Sequence, residues 1–261
     1  MITAHLQGGM GNQMFQISTA VALARRNNDI AVFDPSSRYL PLQSRQCYKC
    51  DPYEENVFRN INFSKIESIS NLYREPKFSY SEILYIKNMM LHGYFQSEKY
   101  FVDFKEDIID LFAPSEKNNK YIDEKYGKIL QENSITSVHI RRGDYLKFSN
   151  THPACTREYY ASCFESLPAD TSYFIFSDDP VWCANNFKSD KFHIISGEED
   201  YIDLYLMSKC ENNIIANSSF SWWAAWLNKN NNKRIFSPKK WFGAAGPSDD
   251  TDIIPKEWEK K

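Results

Sequence analysis

Residues 134–145 read SITSVHIRRGDY. The first seven, rich in β-branched residues, fit a strand, and the charge cluster follows at its end. Alternation along a strand puts His139 and Arg141 on one face and Ile140 and Arg142 on the other. One arginine can then enter a crevice while its neighbour pairs with Asp144 or a carboxylate behind. Downstream the pattern repeats. TREYYASCFESL (156–167), PVWCANNF (180–187, opened by Pro180), DYIDLYLMSKC (200–210) and FSWWAAWLNK (220–229) read as helices. SYFIFSDD (172–179), KFHIIS (191–196), NNIIANSS (212–219) and RIFSP (234–238) read as strands and their turns. Such alternation predicts a parallel sheet covered by helices, with ligands beyond the carboxyl ends of its strands.

Upstream, ITAHL (2–6) predicts a strand, QGGMGNQ (7–13) a glycine loop, 13–26 a helix and IAVFD (30–34) a second strand. The helix carries Met14, Ile17, Val21 and Ala24 at three- and four-residue spacings and Arg25 and Arg26 in its last turn. This is the opening of a Rossmann-like unit, with glycines where such a unit places its ligand loop. Residues 36–133 are broken by Pro41, Pro52, Pro76 and Pro114 and predict helices and loops, with EKNNK (116–120) exposed. The expected class is α/β, with one domain at 1–133 and another at 134–261.

The chain has 261 residues, 42% hydrophobic and 25% charged, with a formal charge of -3. That balance suits a folded globular protein and disfavours a nucleic-acid partner, which calls for a basic surface. The N-terminus has no signal-peptide pattern and no window resembles a membrane span, so a cytoplasmic protein is expected, able to sit at the inner face of the membrane. Six cysteines in such a chain predict reduced thiols. Cys47 and Cys50 have metal or redox spacing but lack a second pair, and are read as incidental.

Four clusters follow predicted strands. In the first, Gly8, Gly9 and Gly11 let backbone N–H groups approach a ligand while Asn12 and Gln13 add side-chain donors; the alternative is a tight turn needing positive φ. In HIRRGDY the arginine fork suits a diphosphate, because it donates two parallel bonds and stays charged; the alternative is an ion-paired surface turn. Ser177–Asp179 reads as a cap before Pro180, as an acidic metal pair, or as a carboxylate for guanine's paired-donor edge. Asn217, Ser218 and Ser219 open a helix whose N-terminus favours an anion or is simply capped. Trp222, Trp223 and Trp226 read as core. Together the clusters point to a nucleotide diphosphate, and the absence of a Walker A lysine argues against nucleotide hydrolysis.

GGMGNQMFQ, GYFQSEKYF (93–101), HIRRGDY, FSDD and NSSFSWWAAWL, in this order over nearly the whole chain, resemble the bacterial α-1,2-fucosyltransferases of glycosyltransferase family 11. The resemblance implies a GT-B-like pair of Rossmann-type domains, GDP-β-L-fucose as donor, inversion at the transferred sugar, and no required metal or cofactor. It implies that Arg141 holds the β-phosphate, that His139 and Asp179 lie near guanine, and that Ser218, Ser219 and Phe220 line the phosphates beside Asn217. Gly9, Gly11, Asn12 and Gln13 would contribute from the N-terminal domain, whose residues 36–133 would shape the acceptor side.

Arg141, Asn12 and Asp144 are the expected catalytic residues, and Arg142, bracing the turn with Asp144, is counted with the donor site. The expected reaction transfers fucose to the 2-hydroxyl of a galactose-containing oligosaccharide or lipid-linked glycan of a surface polysaccharide. Alternatives are another GDP-sugar-dependent transferase, or a catalytically silent nucleotide-sugar-binding protein. Transfer also needs a general base, for which His5, Asp144, His152 and Glu158 all stand as candidates.

Overall fold

The computed structural model describes residues 1–35, 53–132 and 134–261, and the CYKC pair lies outside them. The chain divides into two compact units, Met1–Ala113 with Asp249–Pro255, and Pro114–Ser248 with Lys256–Lys261. The cut therefore falls at 113/114, ahead of the 133/134 boundary expected from the sequence. Among the described residues no helix is long and apolar enough to cross a membrane.

The first unit holds strands β1 (Ile2–Ala4), β2 (Asn71–Arg74) and β3 (Met89–His92), all parallel in the order β1-β3-β2. Helix α1 spans Met10–Arg26, beginning at the glycines rather than after them. Gly8 turns the chain at φ 77°, and a Cβ there would collide with the Asn12 side chain, so both conformation and space call for glycine. Among the described residues the expected strand at 30–34 forms only single bridges, Ile2 with Ala31 and Phe33 with Phe63. Helix α2 spans Lys105–Leu111.

In the second unit, helix α3 (Glu116–Glu132) precedes β4 (Ile135–Ile140). Then follow α4 (Arg157–Phe164), β5 (Ser172–Ser177), α5 (Pro180–Asn186), β6 (Phe192–Ile195), α6 (Asp200–Lys209), β7 (Asn212–Ile214), α7 (Ser219–Leu227), β8 (Ile235–Ser237) and β9 (Glu259–Lys260). All six strands are parallel, in the order β6-β5-β4-β7-β8-β9. The strand read at 212–219 is short because the Ser218 N–H turns back onto the Ala216 carbonyl (2.8 Å) and α7 begins at once.

Both sheet faces are covered. Val138, Ile140, Ile175, Ile214 and Phe236 pack with Tyr159, Tyr160 and Cys163 of α4 and Cys183 of α5. On the other face lie Ser137, His139, Phe174 and Asn213 under α3, α6 and α7. Tyr126 meets Phe174 at 5.9 Å and Phe220 meets His139 at 5.4 Å. Asn213 donates to Ser137 Oγ (2.7 Å) and the Met207 carbonyl (2.9 Å). The tryptophans of α7 are core as read from sequence, with Trp222 and Trp223 fully buried.

Candidate active site

The strand order fixes where a ligand can lie. From β4 the chain crosses to β5 on one side, and from β7 to β8 on the other, so the connections diverge between β4 and β7. In a doubly wound sheet the crevice opens at the carboxyl ends of such a pair. The segments leaving those ends are 141–156 and 215–218, which carry the charge cluster and the serines. Tyr145 ties them together, its hydroxyl donating to the Asn217 carbonyl at 2.9 Å.

Arg141 Nη2 lies 2.7 Å from Asp144 Oδ1 and Nη1 lies 3.1 Å from Asp178 Oδ2, with the guanidinium 5.4 Å from the Tyr145 ring centre. Arg142 Nε lies 3.2 Å from Asp179 Oδ2, its backbone N–H donates to Asp178 Oδ1 (2.9 Å), and its guanidinium sits 3.9 Å over Trp182. Asp144 thus pairs with Arg141, not with Arg142 as the alternation argument expected. The strand ends at Ile140 and the Leu146 N–H bonds back to the Arg142 carbonyl (2.9 Å), so period-two logic stops where the arginines begin. Asp179 has a second task, since its Oδ1 accepts from the Trp182 N–H (3.1 Å) as the cap of α5.

His139 is 6% exposed and its Nδ1 is buried without a partner among the described residues. Burial, reinforced by Arg141, pushes its pKa down to about 3, so the ring is an uncharged donor-acceptor. Beside it α7 begins. Its cap, Ser218, makes no side-chain capping bond, so the hydroxyl is not spent as a cap, and the first-turn N–H groups at Ser219 and Phe220 carry the positive end of the helix dipole. The Asn217 side chain takes a different role from the one expected. Its amide donates to the Pro153 and Trp241 carbonyls (2.9 Å each) and its oxygen accepts from Cys155 Sγ (3.6 Å), so it holds the loops rather than presenting itself to a ligand.

The sequence reading missed Asp203. It lies in the first turn of α6, which leaves the carboxyl end of β6 and covers the face that bears His139. Its Oδ1 is buried without a partner among the described residues, and burial, with Glu198 and Asp200 nearby, pushes its pKa up to about 7. The available signal was an aspartate set inside the apolar stretch DYIDLYLM. Tyr145 was missed too; inside HIRRGDY it was overshadowed by charge.

In the first unit, Gln13 donates to the Gly8 carbonyl (3.0 Å) and Asn12 Oδ1 accepts from Gln96 of GYFQSEKYF (2.7 Å). Gln16 donates to the Gly93 carbonyl at 3.1 Å. The first two motifs are therefore one assembly, in which Gly9 is the N-cap of α1 and Gly11 lies buried within it. Of the candidate bases, His5 stacks on His92 in this unit with rings 5.1 Å apart. Glu158 is exposed on α4, on the sheet face opposite His139. His152 stacks on Tyr145 at 5.2 Å and is the one brought into the Arg141 cluster with Asp144. Among the described residues no group of His, Cys, Asp and Glu is arranged to hold a metal ion.

Two Rossmann-type units, each built on a parallel sheet and the second with its ligand edge between β4 and β7, define the GT-B architecture. The fucosyltransferase NodZ from Bradyrhizobium shares it, with TM-score 0.50 and 14% identity over 85% of this chain and 90% of that one. The family model for glycosyl transferase family 11 matches residues 1–260, and the chain belongs to that family. The O-antigen biosynthesis glycosyltransferase WbnK of Escherichia coli is 33% identical over 93% of this chain and 95% of its own. An alpha-1,2-colitosyltransferase of Escherichia coli is 29% identical over 99% of this chain and 98% of its own.

Proposed function

We propose that the protein is an inverting galactoside α-1,2-fucosyltransferase, moving L-fucose from GDP-β-L-fucose to the 2-hydroxyl of a terminal galactoside in surface-polysaccharide synthesis. The observation that carries this reading is the convergence of Arg141, uncharged His139 and the N-terminus of α7 at the β4–β7 switch point. Inverting transfer is a single displacement in which negative charge develops on the leaving diphosphate. A fixed guanidinium and helix N–H groups stabilise that charge without needing to reorganise. The O-antigen relative supports a bacterial glycan as acceptor.

Guanine presents N1–H and its exocyclic amine as paired donors, which a carboxylate accepts. Asp179, the residue expected there, already caps α5 and pairs with Arg142. We therefore assign this edge to Asp203, whose buried oxygen has no partner among the described residues, with His139 on the same face of the sheet. Asn12 and Gln13 keep the glycine loop in shape on this reading.

The second reading, favoured by the colitosyltransferase relative, is transfer of colitose, which lacks the 3-hydroxyl of fucose. Purified protein with GDP-fucose and lactose should release GDP and give a product whose NMR spectrum shows an α-1,2 linkage, undiminished by excess chelator. Turnover of GDP-colitose alone would move the assignment to the second reading. Release with neither donor would sink both.

A further inference from the structure

We propose that His152 accepts the proton of the attacking acceptor hydroxyl. The inference rests on the transferase reading and deepens it.

His152 is held on both sides, stacked against Tyr145 (5.2 Å, 24° between planes) and tilted against Phe242 (5.5 Å). Its backbone is strapped down as well. The His152 N–H donates to the Phe148 carbonyl at 2.8 Å. On the other side of this strap, the Gly243 N–H donates to the Thr151 carbonyl (3.0 Å) and the Ala245 N–H to the Asn150 carbonyl (2.9 Å). Gly243 is required there, because a Cβ would collide with the Asn150 carbonyl. The imidazole is thus fixed by aromatic packing on a ring, Tyr145, that itself packs on the Arg141 guanidinium at 5.4 Å. The ring is half-buried with Nδ1 inside, so Nε2 is the nitrogen a ligand can reach.

The other candidates are less suited. Asp144 has its carboxylate engaged by Arg141. Glu158 is exposed on the far face of the sheet, and His5 is stacked in the first unit.

The charges facing His152 are Asp144 and Arg141. Burial lowers its pKa from the ordinary value, Asp144 opposes that change and Arg141 adds to it. The free ring is therefore neutral at pH 7 and has a lone pair to offer. Diphosphate on Arg141 cancels part of the positive potential that opposes protonation, so the donor complex holds a stronger base than the free protein. In the transfer the acceptor oxygen bonds to C1 of fucose as its proton passes to His152 Nε2. The bond from C1 to the β-phosphate oxygen breaks, and its electron pair leaves on GDP. The imidazolium stays beside Asp144 until it releases the proton to solvent.

The test compares wild type, His152→Gln and His152→Ala with GDP-fucose and lactose. Wild-type turnover is the control on the function itself; without it the transferase reading falls, and this inference with it. Given turnover, both variants should bind GDP within about threefold of wild type by calorimetry and lose on the order of 10²-fold or more in kcat. The acid limb of the wild-type kcat profile should vanish in His152→Gln, and added imidazole should restore part of the His152→Ala rate. A kcat for His152→Gln within about threefold of wild type overturns the assignment. So does a joint loss of GDP affinity and rate that imidazole does not relieve, because that is the behaviour of a packing residue.

Discussion

Replacing Asp203 by Asn should change both stability and nucleotide choice, in a direction that pH reveals. The carboxyl titrates near 3.8 when exposed and near 7 in the fold. The folded state therefore binds its proton more tightly, and the stability it lends is present at acid pH and lost as pH rises through 7. A tenfold difference in proton affinity corresponds to about 1.4 kcal/mol. Between pH 5.5 and 8 the wild type should lose roughly 2 kcal/mol from this group, reduced to about 1–2 kcal/mol by its partial exposure. Asn carries no such proton, so urea denaturation of Asp203→Asn against wild type should show the variant gaining by that amount over the same interval. Binding should respond in the opposite sense. Guanine needs the ionised carboxylate, so wild-type affinity for GDP should weaken by up to about tenfold for each step of one in pH below 7, whereas the variant should bind weakly at every pH. IDP, which lacks the exocyclic amine, should bind wild type less well than GDP, and the variant should discriminate less. Equal stability slopes for both proteins, with GDP affinity independent of pH in both, would refute the reasoning.

Arg141→Ala should lower kcat/KM for GDP-fucose by about 10²–10³-fold, as loss of a charge-assisted donor to a developing anion does; steady-state kinetics at pH 7.5 would show it, and retained turnover would move the phosphate elsewhere. Trp222→Ala removes a fully buried indole that stacks on Trp226 at 6.1 Å and should cost about 3–5 kcal/mol, read as a shift in urea midpoint. Gly8→Ala forces a Cβ into a φ of 77° and against Asn12. It should destabilise the first unit by about 1–3 kcal/mol, measured by the same denaturation.

The alternation of the second half was legible because the central strands of its sheet, β4, β5, β7 and β8, are buried between helices, which leaves near-continuous apolar runs such as SYFIFS. Two strands of the first unit, its edge strand β2 and its central strand β3, were not. Asn71–Arg74 alternates half-buried and exposed positions with little apolar contrast, and Met89–His92 has a methionine pair where β-branched residues would have signalled a strand. The candidate site was suggested by the sequence where motif and strand end coincide, at His139, Arg141 and Ser218. It was misread where chain geometry changes within one residue, so that Asp144 turned to Arg141 and Asp179 to Arg142. Asp203 was hidden by its own helix, whose apolar periodicity gives no sign that one acidic side chain faces inward.

The decisive measurement is a structure of the protein with GDP bound. The β-phosphate should lie on the Arg141 guanidinium and the first-turn N–H groups of α7, with guanine against His139 and the Asp203 carboxylate. Diphosphate seated away from the ends of β4 and β7, out of reach of the Arg141 guanidinium, would contradict it.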